Sequence, residues 1–568
     1  MSSEALQIVR RSSLPAALLI GLCSLFAGAA LAAEPLPKQI DAILLKQAGG
    51  APIAPLADDA EFLRRITLDL AGRIPTVAEL HAFRADARPN KRTLVVDTLL
   101  ASPDYPRRMQ DMFHAMLMER RGDNPEWTTF LEAAFAANTP WDVIARDILD
   151  PDPENEKKRG AAYFYTRRLD KVGTQDTDYP GLTRDVGRLF LGMDLQCAQC
   201  HNHLSIDYYK QQDFQGLFIV YQNTAIRGDV KFPAIAEKPL TKKIEFSSVF
   251  DKIPLSTGPK IPGMAEIKLP EFKPGEEYAV PPNRQKNIVG TLKFSPLEAI
   301  AHEMPTARNQ AFVRNIVNRL WFVMFGRGIV NPLDQHHPAN PPSHPELLEL
   351  LAQEFAAHKF DIKWLLRELA QTEAYQRSSI LPTSGEVKPD RFVVGSEKRL
   401  SAEQLYAAML TATGPWPASV LPPETSGDAK KDAKPAAKPD PAAKPAPITG
   451  PLPATQLRAA FVKAFANPPQ EPEIDFTPSL KSALFLLNDP AVLGLLTPHP
   501  GTLMERLLKL ADDKAADELY RSVLSRDPTD EERTVVNDYL KSHAARRAGA
   551  LTDLAWSLLA STEFALNH

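Results

Sequence analysis

Phe62-Leu-Arg-Arg-Ile-Thr-Leu-Asp-Leu-Ala-Gly-Arg-Ile-Pro-Thr76 is the stretch that decides the fold class. Phe62, Ile66 and Leu70 recur at i, i+4 and i+8, one stripe of a helix, and Gly72 and Pro75 end the run. Thr76-x-x-Glu79 then opens a second helix with a capping box, in which two side chains take up backbone N–H groups that a helix start leaves unpaired. The same grammar extends outward. A helix follows Pro103 with Met109, Met112 and Met116 at helical spacing, and residues 127–135 and 141–149 continue the pattern. From Pro296 helices return: residues 311–325 are periodic and stop at Gly326-Arg-Gly328. Further starts stand at Ser343-x-x-Glu346, where a proline occupies the first turn, and at Ser401-x-x-Gln404 and Thr529-x-x-Glu532. The expectation is a mainly α, multi-helical two-domain protein with a small β-containing insertion and a disordered Pro/Lys/Ala segment.

Boundaries follow from shifts in composition. Residues 1–33 carry Arg10-Arg11, an apolar run from Leu14 to Leu31, and Ala30-Leu31-Ala32 as a small-x-small cleavage site, which reads as an export signal. Residues 34–224 form a helical domain. Residues 225–295 are rich in proline and glycine and hold alternating runs such as 243–250, so a β-containing insertion is expected there. Helical segments at 296–413 and 454–568 flank residues 414–453. Within that linker, residues 428–447 are only Asp, Lys, Ala and Pro, too little apolar surface to offset the entropy of ordering.

The chain has 568 residues, with 66 basic against 70 acidic side chains and a net charge of −4. Nothing in that balance suggests a nucleic-acid partner, which calls for a basic face. Beyond the leader no segment has the length of apolar residues needed to cross a bilayer, so no stable membrane insertion is expected after signal cleavage. Three cysteines exclude a disulfide-stapled scaffold. Cys23 leaves with the signal, and Cys197 and Cys200 remain in a periplasmic or secreted protein.

Those two lie in Cys197-Ala-Gln-Cys200-His201, the C-x-x-C-H pattern of covalent haem attachment. Two thiols three apart add to the vinyl groups on one porphyrin edge, and the adjacent imidazole becomes the proximal ligand of the iron. With three cysteines and twelve histidines, chance produces this pattern on the order of three times in ten thousand such chains. The same atoms have other uses: a small disulfide, or a zinc site from Cys197, Cys200, His201 and His203. Haem c is the leading cofactor, with zinc or none as alternatives. Sources for a sixth iron ligand are the cluster from Met109 to Met118, the pair His302 and Met304, and His336-His337. The loop from Asp334 to His344 offers His336, His337 and His344 as a separate metal or acid–base group. There is no phosphate loop, dinucleotide fingerprint or nucleophile elbow.

Several motifs carry a resemblance. The stretch 62–76, residues 91–105 and Arg188-Leu-Phe-Leu-Gly192 followed by the cysteine motif resemble the secreted cytochrome-like domain named for planctomycetes. Residues 315–321, 325–330, 340–348, 399–404, 483–488 and 561–568 resemble its usual companion domain. Both are domains of unknown function. The resemblance implies export and c-type haem on Cys197, Cys200 and His201, but no reaction, so no enzymatic activity is assigned. Relatives usually read Cys-His-Asp-His-Pro where this chain has His201-Asn202-His203-Leu204. Many also have His-Trp where Met112-Phe113 stand, which makes Met112 the tentative sixth ligand. The function expected is an exported mono-haem protein in electron transfer or redox support, with an unknown redox partner protein. The alternative is a non-haem binding or scaffold protein, partnered with carbohydrate-processing machinery, whose motif holds zinc or a disulfide.

Overall fold

The computed structural model describes residues 34–171, 176–283, 285, 289–381, 387–416, 453–472 and 480–568. The leader 1–33 and nearly all of the linker 414–453 lie outside them. Helices dominate, as the sequence periodicity requires, and the sheets among the described residues are two-stranded.

The helix Asp59–Ala71 shows why. Asp58 accepts the N–H groups of Ala60 and Glu61, both at 2.9 Å, and Gly72 ends the helix in the left-handed region at φ 73°. Thr76 and Glu79 form the expected capping box, as do Ser401 with Gln404 and Thr529 with Glu532. Ser343 does not. The helix Pro345–Ala357 starts there, but His344 is its N-cap, without a side-chain cap bond. The Ser343 N–H and hydroxyl both donate to the Ile329 carbonyl instead.

Residues 224–292 hold three antiparallel hairpins: Thr224–Ile226 with Ile235–Glu237, Ile244–Ser247 with Pro254–Thr257, and Tyr278–Val280 with Thr291–Leu292. A fourth pairing joins Lys398–Arg399 to Leu566–Asn567.

Residues Leu36–His568 make one compact unit with two hydrophobic cores. The first runs from Leu36 to Phe392, so the helices Pro296–Glu303, Gln310–Phe325, Pro345–Ala357 and Ile362–Ala370 share it with the N-terminal helices. Within it Trp141 stacks with Phe190 and with Phe312, at 6.1 and 6.2 Å. The second core runs from Leu400 to Phe564 and takes in Leu68 and Ile74 from the N-terminal half. Asp59–Ala71 is thus buried nearly all round and serves both cores. The terminal nitrogens of its two arginines are bonded accordingly, while both Nε atoms have no partner among the described residues. Arg64 donates to the carbonyls of Val523, Glu563, Phe564 and Leu566, and Arg65 to those of Tyr375 and Arg377.

Candidate functional site

The helix Tyr179–Leu191 delivers the cysteine motif. It ends at Gly192, φ 67°, where a Cβ would come within 2.5 Å of His336 Cδ2 and 2.8 Å of Asn315 Oδ1. Only glycine fits this contact. Asn315 donates to the Leu189 carbonyl at 2.8 Å and the His336 N–H to the Gly192 carbonyl at 2.9 Å. The C-terminal half of the chain therefore holds the helix end that precedes the motif.

Cys197–Gln199 is a single 3-10 turn. Leu195 and Ala198 anchor it in the core, and Gln199 is held by Arg184 and by Gln215. Among the described residues, Cys197 and Cys200 are exposed and unpaired in this structure.

The two histidines of the motif are used in opposite ways. His201 Nδ1 lies 2.6 Å from the Asn202 carbonyl. A carbonyl only accepts, so Nδ1 carries the proton of the neutral ring and Nε2 keeps its lone pair. His203 Nδ1 instead accepts the N–H groups of Ser205 and Ile206 at 3.2 and 3.1 Å. Its neutral ring therefore carries the proton on Nε2, and its lone pair is spent on the turn. Among the described residues no group of three or more His, Cys, Asp or Glu side chains is gathered to hold a metal ion, so Cys197, Cys200, His201 and His203 are not preassembled as a zinc shell.

Asn202 accepts the N–H of Gln211, the first residue of the helix Gln211–Tyr221, at 2.9 Å. An aspartate would accept the same bond, so the departure noted in the sequence keeps this anchor and loses only the charge.

Apolar side chains lie uncovered beside the motif. Leu204 is 78% exposed and Phe250 65% exposed, with Val249, Ile253 and Leu255 also open. The hairpin bearing the last four is fixed to the motif: the Val249 N–H donates to the Cys200 carbonyl at 3.2 Å, and the Phe250 ring lies 4.8 Å from that of His201.

The sequence did not reveal Tyr209, which connects the motif loop to the 334–344 loop. Its ring meets His203 at 6.1 Å and His337 at 5.8 Å, both edge-on, and its hydroxyl donates to the His336 carbonyl at 3.2 Å. Burial pushes its pKa up. Burial and the Arg319 and Arg314 charges push His336 down to about 4. Asp334 is not free for acid–base work, since Arg319 and Arg188 both bind it. His344 packs on Phe392 and meets the Ser343 hydroxyl. Met112 lines a separate recess whose wall includes neither cysteine and neither motif histidine.

Residues 39–225 match the family model PSCyt2 and residues 298–540 the model PSD1, each described as a protein of unknown function, DUF1549 and DUF1553. The chain is a PSCyt2–PSD1 protein. No curated protein and no solved structure matches it. The PSCyt2 part supplies the motif, and the PSD1 part supplies Asn315, His336 and the clamp on Gly192. Among the described residues no helix is long and apolar enough to cross a membrane.

Proposed function

We propose that this PSCyt2–PSD1 protein is an exported c-type mono-haem protein with an electron-transfer or redox-support role. The observation that carries the reading is the state of His201, whose Nδ1–H is fixed on the Asn202 carbonyl, leaving Nε2 as the donor atom that iron ligation uses. The two thiols beside it are exposed and free. The residues fit the group. Cys197 and Cys200 would hold the porphyrin edge, His201 would be the proximal ligand, and the open apolar side chains of Leu204, Val249 and Phe250 supply the surface that a porphyrin would cover. A haem held there supplies one-electron chemistry, with Phe250 and its neighbours limiting water around the iron and so influencing its potential. Met112 stays a proposal only as a ligand reached by rearrangement, because it lines a different recess.

The test is the pyridine haemochrome spectrum of denatured protein, purified after export from a host with c-type maturation, beside a Cys197→Ser/Cys200→Ser variant. A covalent c-type band in the wild type alone is expected. Absence of haem despite competent maturation overturns the reading and leaves a non-haem scaffold. Metal analysis of reduced and oxidised protein then separates zinc from a disulfide.

A further inference from the structure

A second site lies away from the cysteine motif. A recess of about 380 Å³ opens between the two cores, within the size range of small-molecule pockets. The PSCyt2 part contributes Asp69 and the Arg108–Met116 face of the helix Asp104–Met118. The PSD1 part contributes Arg319, Phe322 and the turn from Lys398 to Gln404, and Asn567 closes one wall. The segments that carry the family resemblance thus meet here, though hundreds of residues separate them.

The interior acids of this recess are already matched. Asp69 accepts Lys398 Nζ at 2.6 Å, Tyr375 Oη at 2.8 Å and Asn567 Nδ2 at 2.8 Å. Asp111 pairs with Arg458 at 2.5 Å, Glu403 with both terminal nitrogens of Arg120, and Glu119 with Arg188 at 2.6 Å. Arg108 is the exception. Its Nε donates to the Asp69 carbonyl at 3.4 Å, and it makes no ion pair among the described residues. Burial lowers its pKa, the nearby charges of Asp69, Asp111 and Glu403 offsetting only part of the lost hydration. Its stem is held in place: a Cβ on Gly72 would lie 3.0 Å from Arg108 Cδ.

A second unmet group shares the wall. Asn567 is 1% exposed and gives its Nδ2 to Asp69, while its Oδ1 has no partner among the described residues. The remaining lining includes Met112, Met116, Phe322 and Phe465, an apolar seat for a carbon skeleton. A guanidinium presents a planar fork that matches a carboxylate better than a tetrahedral anion or a point charge.

We propose that this recess binds a small organic carboxylate, with Arg108 taking the carboxylate and Asn567 Oδ1 accepting from a hydroxyl of the ligand. The proposal does not depend on haem. Titration calorimetry of the full mature protein at fixed ionic strength tests it, with gluconate, hexanoate and inorganic sulfate as probes. Gluconate is expected to bind saturably and more tightly than sulfate. Arg108→Gln is expected to weaken it at least about tenfold, the scale set by one charge-assisted contact. Arg108→Lys, which keeps the charge without the fork, is expected to recover part of the loss and guards against a variant that fails to fold. No saturable binding of either carboxylate to the wild type, sulfate bound as tightly as gluconate, or gluconate binding unchanged in folded Arg108→Gln each overturns the proposal.

Discussion

His201 and His203 stand two residues apart and do opposite work, and this distinction exists only at the level of single hydrogen bonds. The spacing Cys197-x-x-Cys200-His201 was legible because the chemistry is local: three side chains within one turn. The tautomers were not, because they depend on which backbone groups the 201–209 turn leaves facing each ring. His203 serves the turn by accepting two N–H groups. His203→Ala is therefore expected to lower stability by about 1–2 kcal/mol, the cost of leaving such donors without a partner, while the covalent haem band persists. Urea unfolding monitored beside the haemochrome spectrum checks both halves, and loss of the band with unchanged stability would mean that His203 acts on the cofactor. Arg64 and Arg65 teach the reverse lesson. Consecutive arginines on a helix read as a solvated face, yet they are 1% and 2% exposed, because most of their partners are distant carbonyls that no local pattern announces, with Glu61, one turn before Arg65, the local exception.

Among elements, helices were readable wherever a cap or a glycine stop marked them, as at Asp59–Ala71, Val77–Ala85 and Gln310–Phe325. The hairpins were less so. Alternation at 243–250 pointed to a strand, but nothing in it showed that the turn beyond would place Phe250 against His201. The junction between the hairpins and the following helix carries its own pH dependence. Glu237, at the end of Ile235–Glu237, accepts the Leu297 N–H at 3.0 Å and the Ser295 hydroxyl at 2.5 Å. Burial pushes its pKa up to about 7, with Asp150 and Glu298 adding to the rise. The folded protein thus holds a proton that the unfolded chain releases near 4.5. This contribution is fully present below that pH and is lost as pH rises through about 7. Thermal midpoints from pH 5 to pH 8 should show Glu237→Gln gaining on the wild type as pH rises; a constant difference between the two would remove Glu237 as the cause.

At the scale of the whole molecule, two family domains matched at 39–225 and 298–540 share their interior. The first core crosses from one to the other, and Leu68 and Ile74 reach into the second. Composition marked the β-containing stretch at 225–295 but could not show that helices on either side of it would pack together, since those contacts join residues far apart in sequence. Arg64→Met is expected to lower stability by roughly 3 kcal/mol, the sum of several buried hydrogen bonds lost, and to make residues beyond 400 sensitive to protease at urea concentrations the wild type tolerates. An unchanged urea midpoint would show that Met fills the site equally well. Arg64 and the Phe564 carbonyl it grips are 500 residues apart, and that separation is also an interval of time. At the ordinary pace of synthesis, about 5–20 residues per second, the guanidinium of the helix read first waits on the order of 25–100 s before its acceptors exist. Until then Asp59–Ala71 has a half-made interior on one side, so the young chain must be shielded from other chains while it waits for its own far end.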